Sequence, residues 1–266
     1  ASEIRERIGF LVVDECHRAP SRTFTEAVSA FDCRYQLGLS ATPWRRDGLT
    51  RLIYWYVGDC AHRIELADLT RSGAVMPLEV IERPTGFIST IDASTEYSRL
   101  ISELTEDRER NALIASDIAK ETETAAGIVL VLTDRKAHCI DLKDCLAERF
   151  IQAELLTGDM PGAQRTDIVR RLNAGEIKVL IATGQLIGEG FDCKGLTTLF
   201  LASPIKFDGR LIQYIGRILR PAPGKDRARV YDYIDERIGV LKAAARSRQK
   251  VYGIQSSYGR EHGSAA

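Results

Sequence analysis

A chain of 266 residues with 44% apolar side chains has material for one large or two ordinary globular domains. Lys and Arg balance Asp and Glu at 37 each, so the molecule as a whole exerts no pull on a polyanion, and a nucleic-acid site would have to be a local patch. No apolar run reaches the roughly 18 residues of a membrane span, no basic-then-apolar leader opens the sequence, and Cys16, Cys33, Cys60, Cys139, Cys145 and Cys193 form no C-x-x-C pair; this speaks against the membrane, a zinc ribbon and a compact disulfide framework, and for a reducing cytoplasm.

In chain order, "ASEIRERIGFLVV" runs almost at once into a core strand and reads as the start of a fragment. Strands are predicted at 8–13, 35–39, 78–82, 128–132, 154–156, 179–182, 198–201 and 229–233. Helical patterns lie between many of them, the arrangement of βαβ units and a parallel sheet covered on both faces. In such sheets ligands bind beyond the carboxyl ends of the strands, so the residues after each apolar run matter most.

The first run ends "VVDECH". An Asp there can hold a hydrated Mg²⁺ through one carboxylate, and a Glu beside it can orient or deprotonate a water that attacks a phosphate. The same letters also serve as plain polar punctuation of a strand. The second run ends "LGLSATPWRRDG", where Ser40, Ala41, Thr42 and Pro43 make a tight polar turn. From 63 to 84 a short helical pattern is interrupted by Gly73, Pro77 and Pro84, which places a domain boundary nearby. Leu100, Ile101, Leu104, Leu113, Ile114 and Ile118 then have the spacing of one or two amphipathic covering helices, with charge on the other face.

In "VLIATGQLIGEGFDCKG", Thr183 closes a buried strand, and Gly188, Gly190 and Asp192 follow at short range. The glycines let backbone approach a ligand and the carboxylate can accept a ribose hydroxyl. A dinucleotide fingerprint fails here, because its third glycine is missing and the strand is too distant. In "DGRLIQYIGRILRPAPG", Gln213, Arg217 and Arg220 are spaced to share one face of a helix that Pro221 stops, with Gly216 allowing close packing beside them. Paired guanidinium forks suit the charge on a transferring phosphoryl group, although a solvated salt-bridge face has the same spacing. His62, His138 and His262 lack ligand-like spacing and are assigned to surface or packing. After 235 the tail turns basic and then Gly/Ser-rich, and its last dozen residues are expected to fray.

Taken in order, D-E-C-H, S-A-T-P, G-E-G-F-D and Q-Y-I-G-R-I-L-R resemble motifs II, III, V and VI of the superfamily 2 helicases. "IVLVLTDRKAHC" is similar to motif IV, and "LLTGDMPGAQR" to the nucleic-acid-facing loop after it. "ATPWRRDG" and "RVYDYID" look most like the XPB-related and type I/III restriction-translocase branch. The resemblance implies an α/β fold of RecA-like parallel-sheet domains. Residues 1–74 would be the C-terminal part of a first domain, 75–240 a whole second domain and 241–266 a tail. It further implies ATP and Mg²⁺, with Asp14 and Glu15 at the metal, Glu15 as general base, and Arg217 and Arg220 reaching the nucleotide together with Gln213, Gly188, Gly190 and Asp192. His17, Ser40 and Thr42 would couple nucleotide state to a nucleic-acid track touched by Thr183, Thr157, Gly158 and Arg165. The implied partners are duplex DNA and other subunits of a repair or restriction system, away from any membrane.

A phosphate-cradling G-x-x-x-x-G-K-[ST] does not occur in the 266 residues, and the only Gly-Lys pair, Gly224-Lys225, is followed by Asp226. The chain is therefore expected to be the C-terminal portion of a helicase that hydrolyses ATP weakly or not at all by itself. Its N-terminal portion, with open strand edges, is expected to be the less stable part. The alternative is a non-catalytic nucleic-acid-binding or adaptor module that keeps a degenerate helicase fold.

Overall fold

A computed structural model describes residues 5–18, 21–41, 48–124, 127–188, 191, 193, 195–205 and 208–256. The chain divides into two compact units, Ala1–Ile64 and Glu65–Ala266.

In the first unit, β1 (Phe10–Val13) and β2 (Tyr35–Gly38) pair in parallel, with Phe10 opposite Tyr35 and Val13 opposite Gly38. Parallel neighbours need a crossover, which α1 (Arg22–Val28) supplies; α2 (Thr50–Val57) follows β2. Side chains alternate across the pleat. Leu11 and Val13 pack with Cys16, Phe24, Val28, Ile53 and Val57, while Phe10, Val12, Tyr35, Leu37 and Leu39 are exposed. Gly38 is required where it stands, since a Cβ there would overlap Val57 Cγ1 and come within 3.1 Å of Cys16 Sγ.

The second unit opens with α3 (Leu66–Arg71) and β3 (Leu78–Pro84), then α4 (Tyr97–Glu106) and α5 (Arg108–Thr124). There follow β4 (Ile128–Thr133), α6 (Lys136–Ala147), β5 (Glu154–Leu156), α7 (Gly162–Asn173), β6 (Val179–Thr183) and the short α8 (Gly184–Gly188). The unit closes with β7 (Leu196–Leu201), α9 (Asp208–Ile218), β8 (Ala228–Ile234) and α10 (Gly239–Ser256). The six strands form one parallel sheet in the order β3-β8-β7-β4-β6-β5. Central β4 shows why. Its Ile128, Leu130 and Leu132 join a core with Ile168, Leu211, Ile215 and Val251 of α7, α9 and α10. Its Val129 and Val131 join the opposite core with Ile114, Ile118 and Leu142 of α5 and α6. A strand apolar at every position is stable only with a helical layer on each face. Across β7 and β8, Phe200 stacks on its register partner Tyr231 at 4.3 Å between ring centroids.

Four expectations change on contact with this architecture. The helix of the Q-Y-I-G-R stretch ends at Ile218, so Arg220 lies two residues past it; the backbone turns away before Pro221 because the residue preceding a proline is disfavoured in the α region. A Cβ on Gly216 would meet nothing within 4 Å, so this glycine answers no close approach among the described residues. Residues 239–256 are a packed helix, with Leu241, Ala245, Arg248, Val251 and Tyr252 buried. Residues 65–76 also go with the second unit, where Leu66, Val75 and Met76 lie against its core. Among the described residues, no helix is long and apolar enough to cross a membrane.

Candidate functional site

In the first unit the chain turns sharply at the end of β1. Leu39 N donates to Val13 O and Cys16 N to Leu39 O, each at 2.9 Å, which lays the residues after β1 against those after β2. Asp14 is exposed, and its Oδ1 accepts the Glu15 amide at 2.8 Å. Glu15 has φ 51°, in the left-handed region that costs a non-glycine residue about 1–2 kcal/mol. In that conformation its Oε2 is buried 3.1 Å from His17 Nδ1, an ion pair when the ring is protonated. The same Nδ1 lies 3.0 Å from Ser40 Oγ. A ring nitrogen carries one proton or none, so a protonated Nδ1 favours the Glu15 carboxylate and a bare one accepts from Ser40. The sequence-predicted Glu15, His17 and Ser40 are thus brought together, and Thr42 lies outside the described residues. Exposed Asp14 at a strand's carboxyl end, with hard oxygen donors and room for water, fits a hydrated Mg²⁺. Burial pushes the Cys16 thiol up, against its own backbone hydrogen bond and together with the charges of Glu15 and Asp14, which disfavours the nucleophilic thiolate.

In the second unit α9 divides into two sides. Leu211, Tyr214, Ile215 and Ile218 are buried, which leaves Gln213, Gly216 and Arg217 toward the other side, with Arg220 exposed beyond the helix end. Arg217 Nη1 donates to Phe191 O, so this arginine and the G-E-G-F-D stretch are in contact. Gly188 ends α8, and Gly190 and Asp192 lie outside the described residues. Tyr214 was not anticipated as a functional residue. Its Oη donates to Gly184 O at 2.6 Å, and a Cβ on Gly184 would come within 2.5 Å of that oxygen. This contact fastens α9 to the residue after β6, and burial pushes the phenol up to about 12, which keeps it a donor.

Three threonines line the carboxyl edge of the sheet. Thr133 pairs with Thr183 across β4 and β6, and Leu156 pairs with Ala182 across β5 and β6, so Thr157 follows beside Thr183. Thr157 Oγ1 donates to Asp159 Oδ1 at 2.6 Å, which holds that carboxyl below its usual range. Gly158 is exposed, and Arg165 sits in the first turn of α7 with its Nε buried and unpaired. Beyond β4 and β7, at the same edge, a pocket of about 320 Å³ is lined by Tyr97, Asp134, Arg135, Ser203, Arg210 and Tyr214 among others. Asp134 N donates to Ser203 Oγ at 2.9 Å. Burial raises the Asp134 carboxyl, opposed by Arg210 and Arg135. The two arginines were missed because they occupy loop and helix-start positions that no spacing marks. Among the described residues, no group of three or more His, Cys, Asp or Glu could hold a metal ion.

Two families match the chain. The "Helicase conserved C-terminal domain" matches residues 99–222, and "Type III restriction enzyme, res subunit" matches residues 1–45. Among curated proteins, the ATP-dependent DNA helicase uvsW of Enterobacteria phage T4 is 23% identical over 266 residues, 97% of this chain and 51% of the phage protein. The chain spans about half the length of the curated relatives it matches. The crystal structure of T4 UvsW is similar with a TM-score of 0.54 at 20% identity, covering 96% of this chain and 53% of that one. The Pyrococcus furiosus Hef helicase domain is similar with a TM-score of 0.56 at 14% identity, covering 92% and 74%. At these identities the solved structures establish the α/β, RecA-like fold alone.

Proposed function

We propose that the chain, which is similar to the helicase conserved C-terminal domain over residues 99–222 and to the type III restriction enzyme res subunit over residues 1–45, is part of an ATP-dependent DNA motor of the superfamily 2 helicase kind, with Asp14 and Glu15 of the first unit and Arg217 and Arg220 of the second as its ATP-handling residues. The reading is carried by the order of the four strand-end motifs. It is supported by the left-handed Glu15 beside His17 and Ser40, and by the side of α9 that keeps Gln213 and Arg217 out of the core. In it Asp14 would hold Mg²⁺, whose charge offsets that of the phosphates. Glu15 orients and deprotonates the attacking water, and the guanidiniums of Arg217 and Arg220 meet the charge that develops on the transferred phosphoryl group. Gln213, Gly188, Gly190 and Asp192 contact the nucleotide, and His17, Ser40 and Thr42 relay its state.

Thr183, Thr157, Gly158 and Arg165 contact the nucleic-acid backbone along the sheet's carboxyl edge, and the restriction-enzyme match favours duplex DNA, other subunits of a repair or restriction system, and the type I/III-like branch. The division of labour is a partial RecA-like domain up to residue 64 and a full one from residue 65, into which the helix of 239–256 packs. The six free cysteines suit a cytoplasmic protein. Since no phosphate loop occurs in the 266 residues, the chain by itself turns ATP over weakly or not at all.

The test is duplex-DNA binding and ATP turnover by the 266-residue chain. Binding that weakens steeply with salt and drops on Arg165→Ala is expected, with turnover at background under saturating DNA. Absence of nucleic-acid binding at low salt overturns the motor reading. DNA-stimulated turnover abolished by Glu15→Gln overturns the claim that the chain is incompetent alone.

A further inference from the structure

Lys225 belongs to the only Gly-Lys pair of the chain, and its surroundings are a turn at the end of α9. Pro223 and Gly224 form the middle of that turn, which Lys225 N closes by donating to Ala222 O at 3.2 Å, with Gly224 at φ 74°. A proline followed by a residue of positive φ is the sequence signature of a type II turn. The lysine side chain runs back to the helix. Its Nζ donates to Leu196 O at 2.7 Å, to Arg220 O at 3.0 Å and to Ile218 O.

An ammonium has three protons and no acceptor, so these carbonyls use its full capacity. The last carbonyls of a helix have no intrahelical donor, and the run Leu219-Arg220-Pro221 offers no glycine cap. Other donors fill the gap here. Lys225 takes Ile218 O and Arg220 O, and the Met76 amide takes Leu219 O at 2.8 Å. A positive charge also complements the negative end of the helix dipole. Burial pushes the amine down to about 8, against which the three carbonyls and the dipole favour the charged form.

We propose that Lys225 is a positioning residue whose ammonium caps the carboxyl end of α9 and ties it to the first residue of β7, holding Arg217 and Arg220 in one frame. Arg217 leaves the last turn of the helix, and the carbonyl of Arg220 is itself one of the three clamped groups. The Lys225 ammonium is bonded to all three carbonyls at once. Arginine is a poor substitute, because its planar fork cannot converge on them as a compact ammonium does. The ligand of the arginines is taken from the proposed function; the cap is independent of it.

Nuclear magnetic resonance on the 266-residue chain tests the cap. In the unaltered chain the Lys225 ammonium should give a slowly exchanging signal with couplings across its hydrogen bonds to the carbonyl carbons of Leu196, Ile218 and Arg220. Lys225→Met should speed hydrogen exchange of the Leu219 and Met76 amides about tenfold and shift the Arg217 Nε signal, while the Val129 amide inside the sheet is unchanged. Lys225→Arg should fall between. Absence of the couplings, or exchange at Leu219 and Met76 untouched by Lys225→Met, overturns the proposal. Should the couplings and exchange follow expectation while Arg217→Ala leaves nucleotide binding intact, the positioning stands and only the arginines' ligand is lost.

Discussion

His138 has its protonation state fixed by neighbours. Asn111 Nδ2 donates to Thr105 O at 2.8 Å, so it is Asn111 Oδ1 that faces His138 Nε2 at 2.9 Å, and Nε2 carries the proton. The bare Nδ1 then accepts from Thr133 Oγ1 at 2.8 Å. The neutral imidazole is satisfied on both sides, and there is no place for a second proton. Burial, reinforced by Arg110, pushes its pKa from 6.5 to about 3. Below pH 6.5 the unfolded chain takes up a proton that the folded chain refuses until about pH 3. The unfolded state therefore binds more protons in that window, and folding stability falls as the solution is acidified through it. The slope is at most about 1.4 kcal/mol per pH unit. Urea unfolding at neutral and mildly acidic pH, on the chain and on His138→Gln, measures it. The variant should lose part of the acid sensitivity, and equal sensitivity in both would remove His138 as its source.

The polar face of α5 shows the same logic at the scale of an element. Arg110, Asn111, Asp117 and Glu121 are all buried. Arg110 Nε meets Asp235 Oδ1 at 2.9 Å and its Nη1 meets Ala202 O at 2.6 Å; Asp117 Oδ2 accepts from Arg83 at 2.8 Å, and Glu121 accepts from Thr198 at 2.6 Å. Arg110→Met should cost about 3–5 kcal/mol, because it leaves the Asp235 charge buried without its partner. The exposed Arg170–Asp167 pair is the control, and Arg170→Met should cost about 0.5 kcal/mol or less. Equal losses in the two denaturation curves would contradict the buried pair's role.

This helix also marks where sequence reading stops. Each of the eight predicted strands is present within two residues of its expected bounds, because an apolar run flanked by turn residues has few other uses. The charges of α5 have the spacing of a solvated covering face, and nothing local distinguishes the two cases. Their partners come from β3, β7 and β8 and from the residues just after β7 and β8, as far as 125 residues away. Site residues divide in the same way. That Glu15, His17 and Ser40 lie close together follows from their places after strand ends, whereas the Tyr214 bond to Gly184 and the Lys225 clamp depend on backbone carbonyls, which carry no residue identity.

On the scale of the whole molecule, the two units differ in how much of their apolar surface is covered. The second unit buries central strands on both faces. Among its described residues the first buries only Val13, Cys16 and Ile53 in its core, and leaves Phe10, Tyr35 and Trp55 at 55%, 58% and 76% exposure. A fully buried Val or Ile contributes about 1.5–3 kcal/mol, so this small core is weak beside the conformational entropy of ordering its chain. A two-stranded sheet is also marginal without further strands or a second helical layer. The first unit should therefore open locally while the second remains folded. Limited trypsin digestion read by mass spectrometry should release cuts at Arg22, Arg34 or Arg51 first, and leave a resistant product containing β3 to α10. Early cleavage between β4 and β7 would contradict this ranking. Because Asp14 and Glu15 sit in the weaker unit, conditions or partners that cover the exposed face of β1 and β2 should slow cleavage at Arg22 and Arg34 and leave the digestion of the second unit unchanged.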